Sequence, residues 1–371
     1  MCKAPATRGH LANPGTQRPR PIFFLNFPPS FMSFVNLKQL AGELGLASST
    51  VSRAMRDSYE ISTATRERVK SVARQLNYQP NPYASCLRNN VTKTIGVILP
   101  QLDNHFFSLA INGIEEVAQQ NGYHVLIYLT HDSGEQEKAV SKYLTSGRVD
   151  GLLLALASGT RGVGHLEKLK QLGVPMVQFD RVNDTLGTAT VTTDDYASGY
   201  QATEHLLKAG CRHVAHLLVS ESLSISSRRL RGYRAALAAH RVPFDAELVL
   251  TGTASNDENL RRITRLLEQR PDIDGIFASV ERLALSSYQA CQQLGIAIPD
   301  AIKIIGFSNM ETATLLAPAL TTITQPAYAI GKEAARILFQ AIAKHKPVLP
   351  TQSLELKSEL IARASTARSA R

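Results

Sequence analysis

Asn36-Leu37-Lys38-Gln39-Leu40-Ala41-Gly42-Glu43-Leu44-Gly45-Leu46-Ala47-Ser48-Ser49-Thr50-Val51-Ser52-Arg53-Ala54-Met55-Arg56 is the stretch on which the reading of this chain turns. Asn36 is a good helix N-cap, Leu37, Leu40, Ala41 and Leu44 follow at helical spacing, and Gly45 supplies a stop. After the Gly45-Leu46-Ala47 turn, a second short helix has only Val51, Ala54 and Met55 as apolar residues. One narrow face therefore packs inward, and the others carry hydroxyls and arginines. Ser62 then caps a third helix, Thr65 to Leu76, with Val69, Val72, Ala73 and Leu76 as its buried stripe. Two short helices joined by a tight glycine turn and braced by a third make a helix-turn-helix.

That arrangement suits duplex DNA. A helix fits the major groove, and its first turn brings short polar side chains to base edges and phosphates. Ser48 and Ser49 stand where bases are read; Thr50, Ser52 and Arg53 stand where backbone or base is held, and Asn36 is a further candidate contact. Any small three-helix unit also shows a polar outer helix, so the helices alone leave the matter even.

Charge points the same way. Of 41 Lys and Arg against 31 Asp and Glu, residues 1–90 hold 12 against 4, leaving 29 against 27 for the remainder. A basic head on a near-neutral body implies a polyanion-binding module joined to something larger. The 371 residues are enough for two or three domains, and 44% hydrophobic content excludes wholesale disorder. No apolar run approaches the roughly 18 residues of a membrane helix, so no membrane partner is expected. Cys2, Cys86, Cys211 and Cys291 lie far apart without a CxxC pair, which argues against a disulfide framework or a cysteine zinc site and for a reduced, cytoplasmic protein. Residues 1–31, with six prolines and no period, read as a disordered leader or an upstream extension of a frame starting at Met32. Their short apolar run between Pro21 and Pro28 falls below a secretory h-region.

Further motifs complete the pattern: Ile61-Ser62, Thr65-Arg66-Glu67-Arg68-Val69, and Leu76-Asn77-Tyr78-Gln79-Pro80-Asn81-Pro82, then Ala84 and Leu87-Arg88. With Leu40-Ala41, Gly45 and Thr50-Val51-Ser52-Arg53, this string resembles the opening signature of the LacI/GalR family of transcription regulators. One departure is Ala47, where the family has Ser or Thr. The lost hydroxyl costs roughly 1 kcal/mol of capping unless Ser48 caps instead. The resemblance implies a hinge helix, Asn81 to Asn90 within a hinge and linker of 81–92, that folds against its copy in the minor groove of operator DNA. Asn81, Tyr83 and Ala84 would contact DNA there, and Leu87 would wedge into the central base step. About ten residues make a helix that is marginal alone. An apolar linker residue is the plain alternative for Leu87.

Beyond Lys93, short apolar runs alternate with amphipathic stretches. Strands are expected at Thr94–Leu99, Val125–Leu129, Gly151–Leu156, Met176–Phe179, Val214–Val219, Gly275–Ser279 and Lys303–Phe307. Repeated βα units imply parallel sheets covered by helices, with ligands at strand C-terminal ends. The fold class is thus an N-terminal all-α helix-turn-helix domain (33–80) followed by an α/β body (93–361) of two doubly wound parallel sheets. The family resemblance, carried here by Ile95-Gly96-Val97, Asn104-His105-Phe106-Phe107, Phe179-Asp180-Arg181, Arg229-Leu230-Arg231-Gly232-Tyr233 and Ile305-Gly306-Phe307, implies a two-lobed body like periplasmic sugar-binding proteins. Lobe 1 would hold 93–191 and 324–352, lobe 2 would hold 192–323, and 362–371 would be a tail without a tetramerising heptad.

The same resemblance carries effector residues over. Phe106 or Phe107 would stack on a ligand ring, the other packing in the core; Asp180 would accept from ligand hydroxyls, with Arg181 structural; Arg229 would offer a cationic fork. A surface ion pair is the plainer reading of Arg229. Val280-Glu281 stands where the family has Asn-Asp, and Ser308 where it has Asp. Those departures make the usual hexose a poorer fit and favour an acidic ligand, a sugar acid or phosphate-bearing metabolite, beside Arg229.

No phosphate loop, nucleophile elbow or HExxH helix occurs, so neither an enzyme nor a cofactor is expected. His213-x-x-His216 opens a strand, where that spacing puts the rings on opposite faces, and the carboxylate pairs Asp194-Asp195 and Glu115-Glu116 are commonplace. The reading is a homodimeric repressor, of carbohydrate metabolism in class, whose small-molecule effector (sugar, sugar acid or phosphate) controls binding to a pseudo-palindromic double-stranded operator. A sugar-binding receptor without DNA function and an α/β enzyme with a fused regulatory domain are the competing readings.

Overall fold

The computed structural model describes residues 35–79, 91–144, 147–253 and 255–367. The expected leader and the hinge residues Asn81, Tyr83, Ala84 and Leu87 lie outside the described residues. The chain divides into two units, 1–84 and 85–371.

In the first unit, α1 (Leu37–Leu44), α2 (Ser48–Ala54) and α3 (Thr63–Gln75) surround a small core of Leu40, Ala41, Leu44, Val51, Ala54, Val69 and Ala73. Met55, Val72 and Leu76, expected fully inside, sit at its half-buried margin. Gly45 closes α1 with φ 63°, the left-handed geometry that only glycine adopts cheaply. Helix α3 starts two residues before the expected Thr65, because the Ser62 hydroxyl accepts from the Thr65 amide and so fixes Thr63 as the first helical residue.

The second unit repeats one plan twice. Lobe 1 contains β1 (Thr94–Leu99), α4 (His105–Gln120), β2 (His124–Leu129), α5 (Gly134–Leu144), β3 (Gly151–Leu154), α6 (Gly164–Gln171), β4 (Met176–Phe179) and β5 (Thr190–Thr193). Lobe 2 contains α7 (Asp195–Lys208), β6 (Val214–Leu218), α8 (Ser224–Ala239), β7 (Val249–Thr251), α9 (Asn256–Gln269), β8 (Gly275–Ala278), α10 (Glu281–Leu294), β9 (Lys303–Phe307) and β10 (Thr321–Thr324). The chain then returns to lobe 1 as α11 (Ala327–Lys344) and β11 (Leu354–Leu356), and to lobe 2 as β12 (Glu359–Ile361). The sheets run β11-β5-β4-β3-β1-β2 and β12-β10-β9-β8-β6-β7. All pairings are parallel except β10 with β12. Each order reverses between its first and third strands, β1/β3 and β6/β8, the position where doubly wound sheets hold ligands beyond the strand ends.

Four strand ends differ from those read in the sequence, β2 starting at His124 and β3, β6 and β8 ending at Leu154, Leu218 and Ala278, and so do three domain boundaries. The lobe change placed between 191 and 192 cuts β5, which belongs whole to the first sheet. The returning segment runs past 352, because Leu354, Glu355 and Leu356 pair with Val191, Thr192 and Thr193. Residues 362–367 are no loose tail: Ser365 is buried, its amide donates to the Ala319 carbonyl at 2.9 Å and its hydroxyl to that of Ile304 at 2.6 Å.

Close helix pairs stiffen both lobes. An added Cβ at Gly331 would lie 1.9 Å from the Ala110 carbonyl oxygen, and one at Gly232 would lie 2.2 Å from that of Tyr196. Only a hydrogen side chain lets α11 meet α4 and α8 meet α7 at that distance.

The three lobe-to-lobe passages run side by side. Thr193, ending β5, pairs with Leu356, ending β11, and Thr324, ending β10, pairs with Glu359, opening β12. Asp194 ties two of them together. Its amide donates to the Leu356 carbonyl at 3.0 Å, and its Oδ1 accepts from the Ser358 amide at 2.9 Å and the Ser198 hydroxyl at 2.8 Å.

Candidate functional site

In the first unit the exposed face begins at α2. Ser48, Ser49 and Arg53 are exposed, while Thr50 and Ser52 are half-buried against the core. Ala47 caps α2 without any side-chain hydrogen bond, and Ser48 does not take its place. Both serine hydroxyls therefore stay on the open first turn, at the expense of roughly 1 kcal/mol of capping. Asn36 is committed within its own helix: its side chain accepts from the Gln39 amide at 2.9 Å, and Gln39 Oε1 accepts from the Asn36 amide at 2.8 Å. That capping box leaves Asn36 exposed but occupied. Arg53 Nη1 is paired with Glu60 Oε2 at 2.8 Å, both half in solvent, a contact sequence reading did not foresee.

In the second unit the candidate effector residues gather in one cleft between the lobes. From lobe 1 come Asn104, Phe106, Phe107, Asp180 and Arg181; from lobe 2 come Ile225, Arg229, Ser279, Glu281, Phe307 and Ser308. Asn104 caps α4, its side chain accepting from the Phe106 amide at 2.9 Å, and so aims the first turn. Phe106 keeps slight exposure at the cleft, whereas Phe107 is buried edge-on between Phe106 and Phe179. Asp180 leaves β4 with φ 57°, a left-handed conformation costly for a residue with a Cβ. Burial holds its carboxyl above the usual carboxylate range despite Arg181 and Arg229 nearby. Arg181 is structural: its Nη1 donates to Asp132 Oδ1 at 2.6 Å, and Asp132 also accepts from the Ser158 amide.

Arg229 differs most from expectation. It is 1% exposed, and its guanidinium is held from behind by Asp195 Oδ1, 2.8 Å from both Nε and Nη2. Nη1 donates to the Ser279 carbonyl at 2.5 Å, and the group lies 3.5 Å over the Phe307 ring. The expected free cationic fork is thus a paired one, which removes one of the two supports for an acidic ligand and leaves the departures at Val280-Glu281 and Ser308 as the other. Burial, with the neighbouring charge of Asp180, pushes the Asp195 carboxyl up to about 7 against the pull of Arg229. Glu281 opens α10 and accepts from the Ser308 hydroxyl at 3.1 Å; burial raises its carboxyl too. Ser308 also receives the Met310 amide. Where a carboxylate was missing from position 308, Glu281 supplies one from the next strand's end.

Buried polar atoms without a hydrogen-bond partner collect at or just behind this cleft: Arg181 Nε, Asp195 Oδ2, Ser226 Oγ, Ser279 Oγ and Arg282 Nε. Such atoms are costly unless something polar completes them. The lobes are drawn together at the rim, where the Val182 amide donates to Ser224 Oγ at 3.1 Å and Ser222 Oγ donates to the Ser158 carbonyl at 3.0 Å. The enclosed cavity is about 20 Å³. Asn104, Ser279 and Asp195 went unassigned in the sequence, Asp195 because nothing local links it to Arg229.

His213 and His216 part company: His213 stands 3.7 Å from Asp272 at the surface, while His216 is buried and stacked between Tyr233 and Phe277. Desolvation drops its pKa to about 3 and keeps it neutral. Among the described residues, no helix is long and apolar enough to cross a membrane.

Known proteins share both units. The sequence pattern described as bacterial regulatory proteins of the lacI family matches residues 36–81, and that described as periplasmic binding proteins and sugar binding domain of the LacI family matches 92–361. The chain belongs to the LacI family of DNA-binding transcription regulators. It is 32% identical to the ribose operon repressor of Halalkalibacterium halodurans over 331 residues, 89% of this chain and 96% of that one. A solved complex of the transcriptional regulator CelR with cellobiose superposes with a TM-score of 0.67 at 27% identity, covering 89% of this chain and 99% of that one. The lac repressor dimer bound to operator and an anti-inducer shares the fold at a TM-score of 0.76 and 23% identity, covering 90% and 99%.

Proposed function

We propose that the chain is a homodimeric, cytoplasmic repressor without catalytic activity, reading a pseudo-palindromic operator through Ser48, Ser49, Thr50, Ser52 and Arg53 and responding to a sugar or sugar-derived metabolite in the interlobe cleft. Asn81, Tyr83, Ala84 and Leu87 complete the DNA contacts in this reading, and Asn36 serves the helix rather than the DNA. Phe106 gives the ligand a ring to lie on, while Asp180, Glu281, Ser308 and Ser279 exchange hydrogen bonds with its hydroxyls. The observation that carries the reading is a set of buried polar atoms on the cleft lining that have no hydrogen-bond partner, Arg181 Nε, Arg229 Nη2 and Ser279 Oγ, which a hydroxyl-rich molecule completes. The cellobiose complex of one relative and the ribose operon of another support a sugar as the class.

Ligand entry in this scheme parts the lobes, and closure around it changes the spacing of the two DNA-reading units of a dimer. Gel retardation with fragments flanking the gene, with and without a panel of pentoses and hexoses, tests this. Specific retardation that is lost in Arg53→Ala and altered by one sugar is expected. Retardation unaffected by Arg53→Ala and by every sugar overturns it.

A further inference from the structure

The cleft contains two arginines, yet neither is available as a bare cation. Arg181 is paired with Asp132, and Arg229 with Asp195. Asp195 does not line the cleft. It opens α7, immediately after the first lobe-to-lobe passage, and is 1% exposed behind the guanidinium that forms the wall. Its Oδ1 accepts a hydrogen bond from Nε and lies 2.8 Å from Nη2, which makes no hydrogen bond of its own, while its Oδ2 has no hydrogen-bond partner. The carboxylate thus spends its one good contact on Arg229. The remaining charges on the lining, Asp180 and Glu281, are acidic.

We infer that Asp195 sets the charge preference of the effector cleft, turning Arg229 from an anion fork into a neutral hydrogen-bond wall and so excluding carboxylated and phosphorylated sugars in favour of uncharged ones. This rests on reading the cleft as the effector site. The physical basis is simple. A buried guanidinium facing a cleft attracts a ligand carboxylate strongly, because water screens little there. A fixed carboxylate on its far side, within contact distance, cancels most of that attraction but leaves the N–H groups in place as donors. Hydroxyls still gain from those donors. At the Arg229 wall an anion meets no net positive charge, and on the lining it meets Asp180 and Glu281 besides. Arg229 is held immobile by Ser279 and Phe307, so it cannot swing to leave Asp195 for a ligand.

The test compares each neutral sugar with its acidic counterpart of the same ring, for example D-glucose with D-glucuronate and D-ribose with D-ribose 5-phosphate, by calorimetric titration of the full chain at mildly alkaline pH, above the point near 7 where Asp195 gives up its proton. In the wild type the best-bound sugar is expected to be neutral. In Asp195→Asn, which keeps shape and one acceptor for Arg229, the acid-to-neutral affinity ratio for that sugar is expected to rise about tenfold or more. In Asp195→Asn combined with Arg229→Gln the ratio is expected to fall back, which a general loosening of the cleft would not produce. A ratio unchanged in Asp195→Asn while the neutral sugar still binds overturns the inference and leaves the cleft reading standing. A wild type that prefers the acid overturns it without any variant, should Asp195→Asn not fold. If the wild type binds neither class, the cleft reading itself fails and the inference falls with it.

Discussion

In lobe 1 the helix after the first strand, α4, carries Phe106 and Phe107 to the cleft; in lobe 2 the equivalent helix, α8, carries Ile225 and Arg229. The sheets have the same strand order, the same reversal point and the same glycine-mediated helix pair. Lobe 1 offers the Phe106 ring beside Asn104, the strained Asp180 and the paired Arg181, and lobe 2 offers Arg229, Ser279, Glu281 and Ser308 beside Ile225 and Phe307. The comparison teaches that the backbone plan fixes where a ligand sits, and the first turn after each strand decides what it is. Two unlike walls would orient the proposed effector, with an apolar face to one lobe and its polar groups to the other.

The largest effect that would break this comparison is removal of the polar wall. Arg229→Ala strands the buried carboxylate of Asp195, and unfolding by denaturant should show a loss of about 3–5 kcal/mol; Phe106→Ala, at the ring wall, should weaken ligand binding with a smaller stability loss. The helix pairs come next. Gly331→Ala in lobe 1 and Gly232→Ala in lobe 2 should each cost about 1–3 kcal/mol by forcing backbones apart, but only Gly232→Ala should also weaken sugar binding, since it shifts the helix that bears Arg229.

A pH titration sharpens the contrast further. The native Asp195 carboxyl lies near 7, above its unfolded value of 3.8, so the native state binds the extra proton between those values. Its contribution to stability is full below the unfolded value and is lost as pH rises through about 7. Melting temperature should therefore fall more steeply over that interval in the wild type than in Asp195→Asn. The smallest expected effect lies in the other unit: Glu60→Gln frees Arg53 from a solvent-exposed pair worth about 0.2–1 kcal/mol, and should tighten DNA binding a few-fold at low salt in an anisotropy titration.

The strands with branched, continuous apolar runs, such as Thr94–Leu99 and Lys303–Phe307, were legible because burial on both faces leaves an unmistakable pattern. Strands β5 and β10, Thr190-Val191-Thr192-Thr193 and Thr321-Thr322-Ile323-Thr324, were not read as strands, since their threonine hydroxyls find partners inside the fold, as Thr321 does in Arg363 and Thr366. Three-residue β7, β11 and β12 are too short to carry a period. The cleft's membership was legible from motif context, Phe106, Asp180, Arg229, Glu281 and Ser308 all reaching one place. Its charge was not, because the partner that neutralises Arg229 lies 34 residues away, and no local pattern announces a long-range ion pair. Likewise the capping role of Asn36 was visible in sequence, but its pairing with Gln39, which takes up the side-chain oxygen and the backbone amide, needed the folded helix.

The lashing of two passages by Asp194, with the third emerging from the neighbouring strand, confines the joint to a narrow band at one margin of the molecule. A joint of that kind behaves like a book's spine: the covers can swing, but they cannot slide or spin. Within the second unit, any effect of a ligand on one lobe is then passed to the other as a tilt about that joint.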